Sequence, residues 1–286
     1  MRKAIVFGGA GQLGRCIYAV ATESNISDIL FPEESQADIL DPDSLRGLFE
    51  IERPQYVINC AAYTAVDKAE DEVELARQIN KDGAYNLALL CKEYGATLIH
   101  ISTDFVFEGQ NVLPQTEESP VNPISIYGLT KLEGEKAIKN TMENYFILRT
   151  SWLYSEYGNN FVKTMLKLGR DKKELRIIAD QFGTPTYAID LATAIIQIIE
   201  SNGTSYGLYH YSNLGIATWH DFAKAIFDLS GMDVKVIPIS TSDYITKARR
   251  PAFSIMNKSK AQNILSLKIP NWHDSLKICL AKINKI

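Results

Sequence analysis

Three groups of residues in this 286-residue chain stand at spacings that could do chemistry. Near the start, Ile5-Val6-Phe7-Gly8-Gly9-Ala10-Gly11-Gln12-Leu13-Gly14 runs from apolar residues through a glycine turn into helix-compatible sequence. Such a turn aims the first N–H groups of a helix at whatever lies above it, which makes an anion site. In the spacing Gly8-x-x-Gly11-x-x-Gly14 the first glycine permits the sharp turn and the second lets a pyrophosphate approach the backbone. The third lets helix and strand pack closely. A plain glycine-rich turn is the alternative, but its position directly after a strand-like N-terminal run favours a dinucleotide.

The second group is Tyr127 and Lys131, four apart on a predicted helix and so on one face. Such a pair arises about once by chance in a chain of this composition, so its weight comes from context. Ser102-Thr103-Asp104 ends a predicted strand just upstream, where a doubly wound sheet places its ligands. A phenol with a pKa of about 10 becomes a usable acid or base at neutral pH if a nearby ammonium stabilises the phenolate. Lowering it by about three units takes about 4 kcal/mol of differential interaction, within reach of a partly buried lysine. Thr103 could then hold a carbonyl while Tyr127 protonates its oxygen and a nicotinamide supplies hydride. The bland alternative is an interior tyrosine beside a solvated lysine. The third group is basic: Lys247, Arg249 and Arg250 crowd into four residues, and a guanidinium fork suits a diphosphate.

These residues need a frame, and the apolar pattern supplies one. Residues 28–31, 55–59, 97–102 and 145–149 read as further strands, and 55–59 is continuous enough in apolar character to be buried on both faces. Helical periodicity covers 64–94 and 126–140, and Asp41 before Pro42 is a good N-cap for another helix. Strands alternating with helices imply an α/β fold with a doubly wound parallel sheet. Residues 103–125 break the rhythm and form a long loop at a strand end, a usual place for function. Beyond Trp152 helices are expected at 161–168, 187–200, 219–230 and 274–284. The division that follows puts a dinucleotide-binding domain at about 1–152 and 184–230, and a smaller substrate-binding lobe at about 153–183 and 231–286.

Composition excludes several classes. Hydrophobic residues are 46% of the chain and mean hydropathy is near zero, as in a soluble globular protein with a real core. No apolar run approaches the roughly 20 residues of a membrane span, so no membrane partner and a cytoplasmic location are expected. A net charge of -4 argues against nucleic acid. Cys16, Cys60, Cys91 and Cys279 are scattered, form no C-x-x-C pair and read as buried thiols. His100, His210, His220 and His273 lack metal-ligand spacing and read as structural, so no metal is expected.

The motifs in order, Gly8-x-x-Gly11-x-x-Gly14, Asn80, Ser102-Thr103-Asp104 and Tyr127-x-x-x-Lys131, resemble the extended short-chain dehydrogenase/reductases. Gly11-Gln12-Leu13-Gly14, the run from Asn59 through Ala61-Ala62-Tyr63 to Asp67, Thr103-Asp104-Phe105 and Gln181-Phe182-Gly183-Thr184-Pro185-Thr186 narrow this to a resemblance to the dTDP-4-dehydrorhamnose reductase family over nearly the whole chain. The resemblance implies NADPH-dependent reduction of a nucleotide-sugar C4 ketone, with NADH possible. It makes Tyr127 the proton donor, Lys131 the residue that lowers its pKa and binds the nicotinamide ribose, and Thr103 the residue that orients the ketone.

It also implies that Gly8, Gly11, Gln12, Leu13, Gly14, Ala61, Ala62 and Tyr63 follow the cofactor, with Asp38 and Ile39 near the adenine and Asn80 supporting a proton-relay water. Asp104, Trp152, Asn160, Arg249 and Arg250 would contact the nucleotide sugar. Glu33 or Glu34 could take a ribose hydroxyl and favour NAD, whereas Arg15 could favour a 2'-phosphate. Phe105 departs from the tyrosine more usual there, and Arg15 with Cys16 replaces a carboxylate that in some relatives bridges a magnesium-linked dimer, leaving a monomer or homodimer. A redox-neutral sugar epimerase or dehydratase, and a non-catalytic subunit resembling the methionine adenosyltransferase beta subunit, are the competing functions.

Overall fold

Four consecutive apolar residues open the chain's first strand, β1 (Ala4–Phe7), and all four are buried. Alternation along a strand sends neighbours to opposite faces. Ala4 and Val6 thus join one apolar cluster while Ile5 and Phe7 join another. A strand buried on both faces belongs inside a parallel sheet. The computed structural model describes residues 3–110 and 112–284. Its central sheet adds β2 (Ile29–Leu30), β3 (Tyr56–Asn59), β4 (Thr97–Thr103), β5 (Tyr145–Thr150) and β10 (Gly207–His210), while β6 (Leu153–Tyr154), β7 (Glu174–Ile178), β8 (Phe182–Gly183) and β9 (Thr186–Tyr187) lie in separate two-stranded pairings. The order is β10-β5-β4-β3-β1-β2, and every pairing within it is parallel.

Helices cover both faces. On one, α1 (Gln12–Glu23) supplies Leu13, Cys16, Ile17 and Val20. On the other, α2 (Pro42–Glu52) supplies Leu45 and Phe49, with Asp41 capping the amides of Asp43 and Ser44 as expected from the sequence. The doubly wound expectation is borne out. Residues 64–94, expected as one helical stretch, are instead interrupted. They form α3 (Val66–Ala69), α4 (Val73–Arg77), a π-helical turn (Gln78–Asp82) and α5 (Gly83–Tyr94). The wide turn brings Asn80 inward, where its amide holds the backbone of Tyr63 and the hydroxyl of Thr130. Such insertions mark functional segments more often than chance.

The helix that carries Tyr127 and Lys131 is α6 (Ile126–Thr141), capped by Ser125. Tyr127, Lys131 and Glu135 follow one another at four-residue steps and share the sheet-facing side. Glu135 is fully buried and takes a two-pronged bond from Arg149 of β5, at 2.8 and 2.7 Å, and a third from Ser102 of β4 at 2.6 Å. Close approach of α6 also needs glycine. A Cβ at Gly128 would lie 2.2 Å from the Phe105 carbonyl oxygen, and one at Gly134 would lie 2.2 Å from that of Asn80.

The C-terminal half adds α7 (Phe161–Asp171), α8 (Ala188–Ser201), β11 (Ala217–Thr218), α9 (Trp219–Ser230), β12 (Lys235–Ile239), α10 (Ser259–Ile264) and α11 (Trp272–Ile283). Helix α8 returns to pack with α1 under the main sheet. A third apolar cluster, with Val162, Met165, Phe222, Phe227, Leu276 and Leu280, joins α7, α9 and α11, and β7 pairs with β12 beside it. No helix among the described residues is long and apolar enough to cross a membrane.

Removing one partner of a fully buried ion pair leaves an uncompensated charge, at a cost of about 3–5 kcal/mol. Glu135→Ala is therefore expected to lower unfolding free energy by that amount in urea titration. A loss under about 1 kcal/mol would show that the pair does not anchor α6.

Candidate active site

Two adjoining cavities lie over the carboxyl ends of β1, β3 and β4, where a doubly wound sheet reverses its strand order. The first, about 380 Å³, is bounded by the turn Gly8 to Gly11, by Asp38 and Ile39, and by Ala61 and Ala62. Glu33 and Glu34 also line it. The second, about 500 Å³, shares Gly11, Cys60 and Ala62 with the first and continues past Gln12 and Leu13 to Thr103, Asp104, Tyr127, Lys131 and Trp152. The pair forms one groove from the glycine turn to the Tyr127 face of α6.

The turn fits a pyrophosphate. Gly8 adopts φ +75°, and a Cβ there would meet Ala61 N at 2.6 Å, so only glycine keeps strand and loop this close. Gly14 does not line either cavity. It lets α1 press on the turn, since a Cβ would sit 2.5 Å from the Gly8 carbonyl oxygen. The N-cap of α1 is Gly11, with no side-chain cap and no acidic residue in the first turn. By contrast α2, α6, α7, α9 and α11 are capped by Asp41, Ser125, Asn160, Thr218 and Asn271. The first amides of α1 therefore face the groove without an internal acceptor, the arrangement that suits an anion.

At the other end of the groove, Tyr127 and Thr103 line the same cavity wall, and the Thr103 hydroxyl acts to lower the phenol's pKa. Thr103 Oγ1 also donates to Asp104 Oδ1 at 3.2 Å and accepts from Phe105 N at 3.1 Å. Burial pushes the Tyr127 phenol up to about 12, with the Thr103 hydroxyl acting against it and the Asp104 charge adding to it. This differs from the expected lowering by Lys131. The Lys131 ammonium donates to the Ile101 carbonyl at 2.6 Å and faces His100 Nε2 at 3.4 Å. Burial pulls Lys131 down to about 8, opposed by Glu135. The phenol is thus kept protonated, the state a proton donor needs.

Asp104 is buried and its carboxyl is pushed up to about 6 by burial. Its Oδ2, like Thr150 Oγ1, is a buried polar atom without a hydrogen-bond partner among the described residues. Both residues line the larger cavity. Buried groups of this kind are costly unless a ligand pairs with them, and hydroxyl groups would do so. Trp152 stands at φ +47°, stacks on Trp219 at 3.6 Å and packs against Gly183, where a Cβ would come within 2.5 Å of its ring. A bulky residue in the left-handed region is strained and is found chiefly at working sites.

Other residues singled out in the sequence lie elsewhere. The Tyr63 phenol turns to Glu72, and its ring lines neither cavity. Asn80 uses its amide on Tyr63 and Thr130. Asn160 caps α7 and donates to Gln12 Oε1 at 2.8 Å, tying the glycine turn to the C-terminal half. Arg249 is exposed, whereas Arg250 lines a separate 770 Å³ cavity with Arg176, Trp219 and Tyr244. Arg250 is gripped at two points by Asp67, at 2.7 and 3.2 Å, and Asp67 Oδ1 also accepts from Ala248 N at 3.0 Å. Asp67 closes the motif that begins at Asn59, yet sequence gave no partner for it, since Arg250 is far along the chain. Arg15 lies over the Tyr157 ring at 4.6 Å and lines neither cavity of the groove. No group of three or more His, Cys, Asp or Glu placed to hold a metal occurs among the described residues.

The model of the RmlD substrate binding domain family matches residues 1–285. The spore coat polysaccharide biosynthesis protein SpsK of Bacillus subtilis is 39% identical over 97% of this chain and 96% of its own length. The dTDP-4-dehydrorhamnose reductase of Aggregatibacter actinomycetemcomitans is 37% identical over 97% of this chain and 98% of its own. Among solved structures, the Bacillus anthracis dTDP-4-dehydrorhamnose reductase in complex with NADP superposes with a TM-score of 0.94 at 40% identity, covering 99% of this chain and all of that one.

The Asp104 carboxyl carries a testable cost. Its folded value lies above the ordinary 3.8, so the native state binds the extra proton. Stability from this group is complete below about pH 4 and falls as pH rises to about 6. Asp104→Asn is expected to raise stability at pH 7 by about 1–3 kcal/mol and to flatten that pH dependence. Thermal unfolding between about pH 4 and pH 7 reads it, and a variant less stable than wild type at pH 7 contradicts it.

Proposed function

This chain belongs to the RmlD substrate binding domain family, and from that premise we propose that it reduces the C4 ketone of dTDP-4-dehydro-L-rhamnose to give dTDP-L-rhamnose. The observation that carries the reading is the shared placement of Thr103, Tyr127 and Lys131 on the lining at the end of the groove that begins over the glycine turn. The cofactor is NADPH, which when bound supplies the hydride. Gly8, Gly11, Gln12 and Leu13 with the first amides of α1 would hold its pyrophosphate, Asp38, Ile39, Ala61 and Ala62 its adenosine end, and Lys131 its ribose. Asn80 and Gly14 support that surface from behind.

The protein's own part is the proton and the pose. Tyr127 would offer its hydroxyl to the carbonyl oxygen, and Thr103 would add a second donor on turning its hydroxyl from Asp104 Oδ1; such paired donors favour the developing alkoxide. A phenol kept protonated by burial gives its proton to that oxygen, and Lys131, whose ammonium is turned to Ile101 and His100, would act on the resulting phenolate through space and not by a hydrogen bond. Asp104, Thr150 and Trp152 line the sugar's cavity, where the orphaned oxygens of the first two would pair with its hydroxyls.

The nucleoside diphosphate extends toward Asn160, Arg249 and Arg250. Arg250 and Asp67 form an ion pair that joins the two halves beside this path, so a diphosphate would share or exchange that guanidinium. We divide the chain into a cofactor domain of about residues 1–152 and 184–218 and a substrate lobe of the remainder. Packing of α9 on α7 and α11 supports moving 219–230 into the lobe. We place the enzyme in the cytoplasm, as a monomer or homodimer.

Mixing the protein with NADPH and the ketosugar is expected to deplete the reduced-nicotinamide absorbance band. Tyr127→Phe should lower kcat by about 10²–10⁴ while leaving NADPH affinity within about threefold. Unimpaired turnover by that variant would remove Tyr127 from the chemistry.

A further inference from the structure

Asn59, His100 and Lys131 form a row beneath the larger cavity, from the end of β3 across β4 to α6. Ala61 N donates to Asn59 Oδ1 at 3.1 Å, which fixes the amide so that its Nδ2 faces His100 Nδ1, also at 3.1 Å. An amide nitrogen only donates, so Nδ1 is the acceptor. His100 is buried, and burial with the Lys131 charge holds it well below the usual histidine range, so its ring carries a single proton. That proton lies on Nε2, 3.4 Å from Lys131 Nζ. Lys131 Nζ in turn donates to the Ile101 carbonyl. An ammonium presents only donors to the Nε2–H, whereas an amine has a lone pair that accepts from it.

We propose that His100 is a positioning residue for the reduction: its Nε2–H, held in that tautomer by Asn59, sets the donor–acceptor sense at Lys131 Nζ and favours the lysine's unprotonated form. The alkaline limit of the site, set first by the burial of Lys131, is then tuned by a hydrogen-bond relay that begins at a backbone amide, three groups away from the lysine.

Burial favours the amine at Lys131, and beyond it the other groups that face this side chain do not. On α6, Glu135 favours the ammonium, but its carboxylate is already bonded to Arg149 and Ser102, and Lys139 stands 3.8 Å from it. Tyr127, one turn earlier on α6, is an uncharged phenol at neutral pH. At the end of β3, the Cys60 thiol is pushed up to about 12 by burial and is uncharged as well. His100 on β4 is the group that presents a directed N–H to Nζ.

The inference rests on the proposed reduction for its kinetic consequence, while its structural content is tested without turnover. In protein carrying ¹⁵N-histidine, the His100 resonances, assigned by their loss in His100→Leu or their shift in Asn59→Asp, are expected to report a neutral ring protonated on Nε2 throughout about pH 6–9. A ring protonated on Nδ1, or a second proton taken up in that range, overturns the proposal whether or not the ketosugar is reduced. Failure to reduce it, with the Nε2 tautomer observed, sinks the functional reading alone.

In kinetics, the alkaline limb of kcat/KM for wild type is expected near pH 8, and His100→Leu should move it upward by about one pH unit. A uniform loss of activity with the limb unmoved would mean a merely structural role and also overturns the proposal. Asn59→Asp, nearly isosteric, serves if His100→Leu fails to fold. Its carboxylate makes Nδ1 the donor and turns the Nε2 lone pair to Lys131, so the resonance pattern should reverse and the limb move the same way. An unchanged pattern counts against the relay.

Discussion

One buried ion pair holds the working face of the molecule in place. Glu135 sits two turns beyond Tyr127 and one beyond Lys131 on the same side of α6, and its carboxylate is bonded to Arg149 of β5 and Ser102 of β4. Wherever that carboxylate is pinned, the phenol and the amine must follow, because a helix is rigid over two turns. The guanidinium also lies over the Phe107 ring at 5.2 Å, so one charged group ties helix, sheet and the loop after β4. Desolvating such a pair is costly and its geometry is its justification. It contributes position more than stability.

The site bears further costs of the same kind. Asp104 keeps an oxygen without a partner, Trp152 occupies a left-handed backbone conformation, and the amides that open α1 lack a capping side chain. Each is tolerated because the surrounding packing over-determines it, and each lies on one groove. Other orphaned buried atoms, on Arg149, Thr186, His210, Ser212 and Ser230, and other left-handed residues, among them Arg53 and Asn202, lie off the groove lining, so only those on the cavity wall bear on a ligand.

Among the polar links from the glycine-turn side to the C-terminal half, two stand beside the groove. Gln12 in the first turn of α1 takes a bond from Asn160 at the start of α7, and Asp67 of α3 grips Arg250. Half-exposed pairs contribute little to stability, generally under about 1 kcal/mol. Their effect is on register: they hold the walls of the groove at a spacing that a dinucleotide on one side and a nucleotide sugar on the other must share. The Asp67 grip also shows why a basic pair in sequence is not yet a diphosphate site, since a carboxylate already satisfies one of the two arginines.

The alternation of apolar runs with helical periods was enough to determine the doubly wound sheet, because burial on both faces forces continuous apolar strands and because helix and strand periods differ. Glycine spacing was enough for the turn, since backbone clearance is a local property. The i, i+4 spacing of Tyr127 and Lys131 was enough for a shared helix face. What spacing could not give is which neighbours each group meets across the fold. Residues 64–94 read as helical, yet the π-helical turn at Asn80 depends on Tyr63 and Thr130.

Lys131 was expected to act on Tyr127, yet its ammonium is turned to Ile101 and His100, and His100 itself read only as a residue inside an apolar strand. Ionisation in a buried site is set by desolvation and by contacts distant in sequence. The sequence by itself therefore determined the scaffold and singled out the candidate reactive groups. Tertiary structure alone decided their proton states, their partners, and the groove that brings them together.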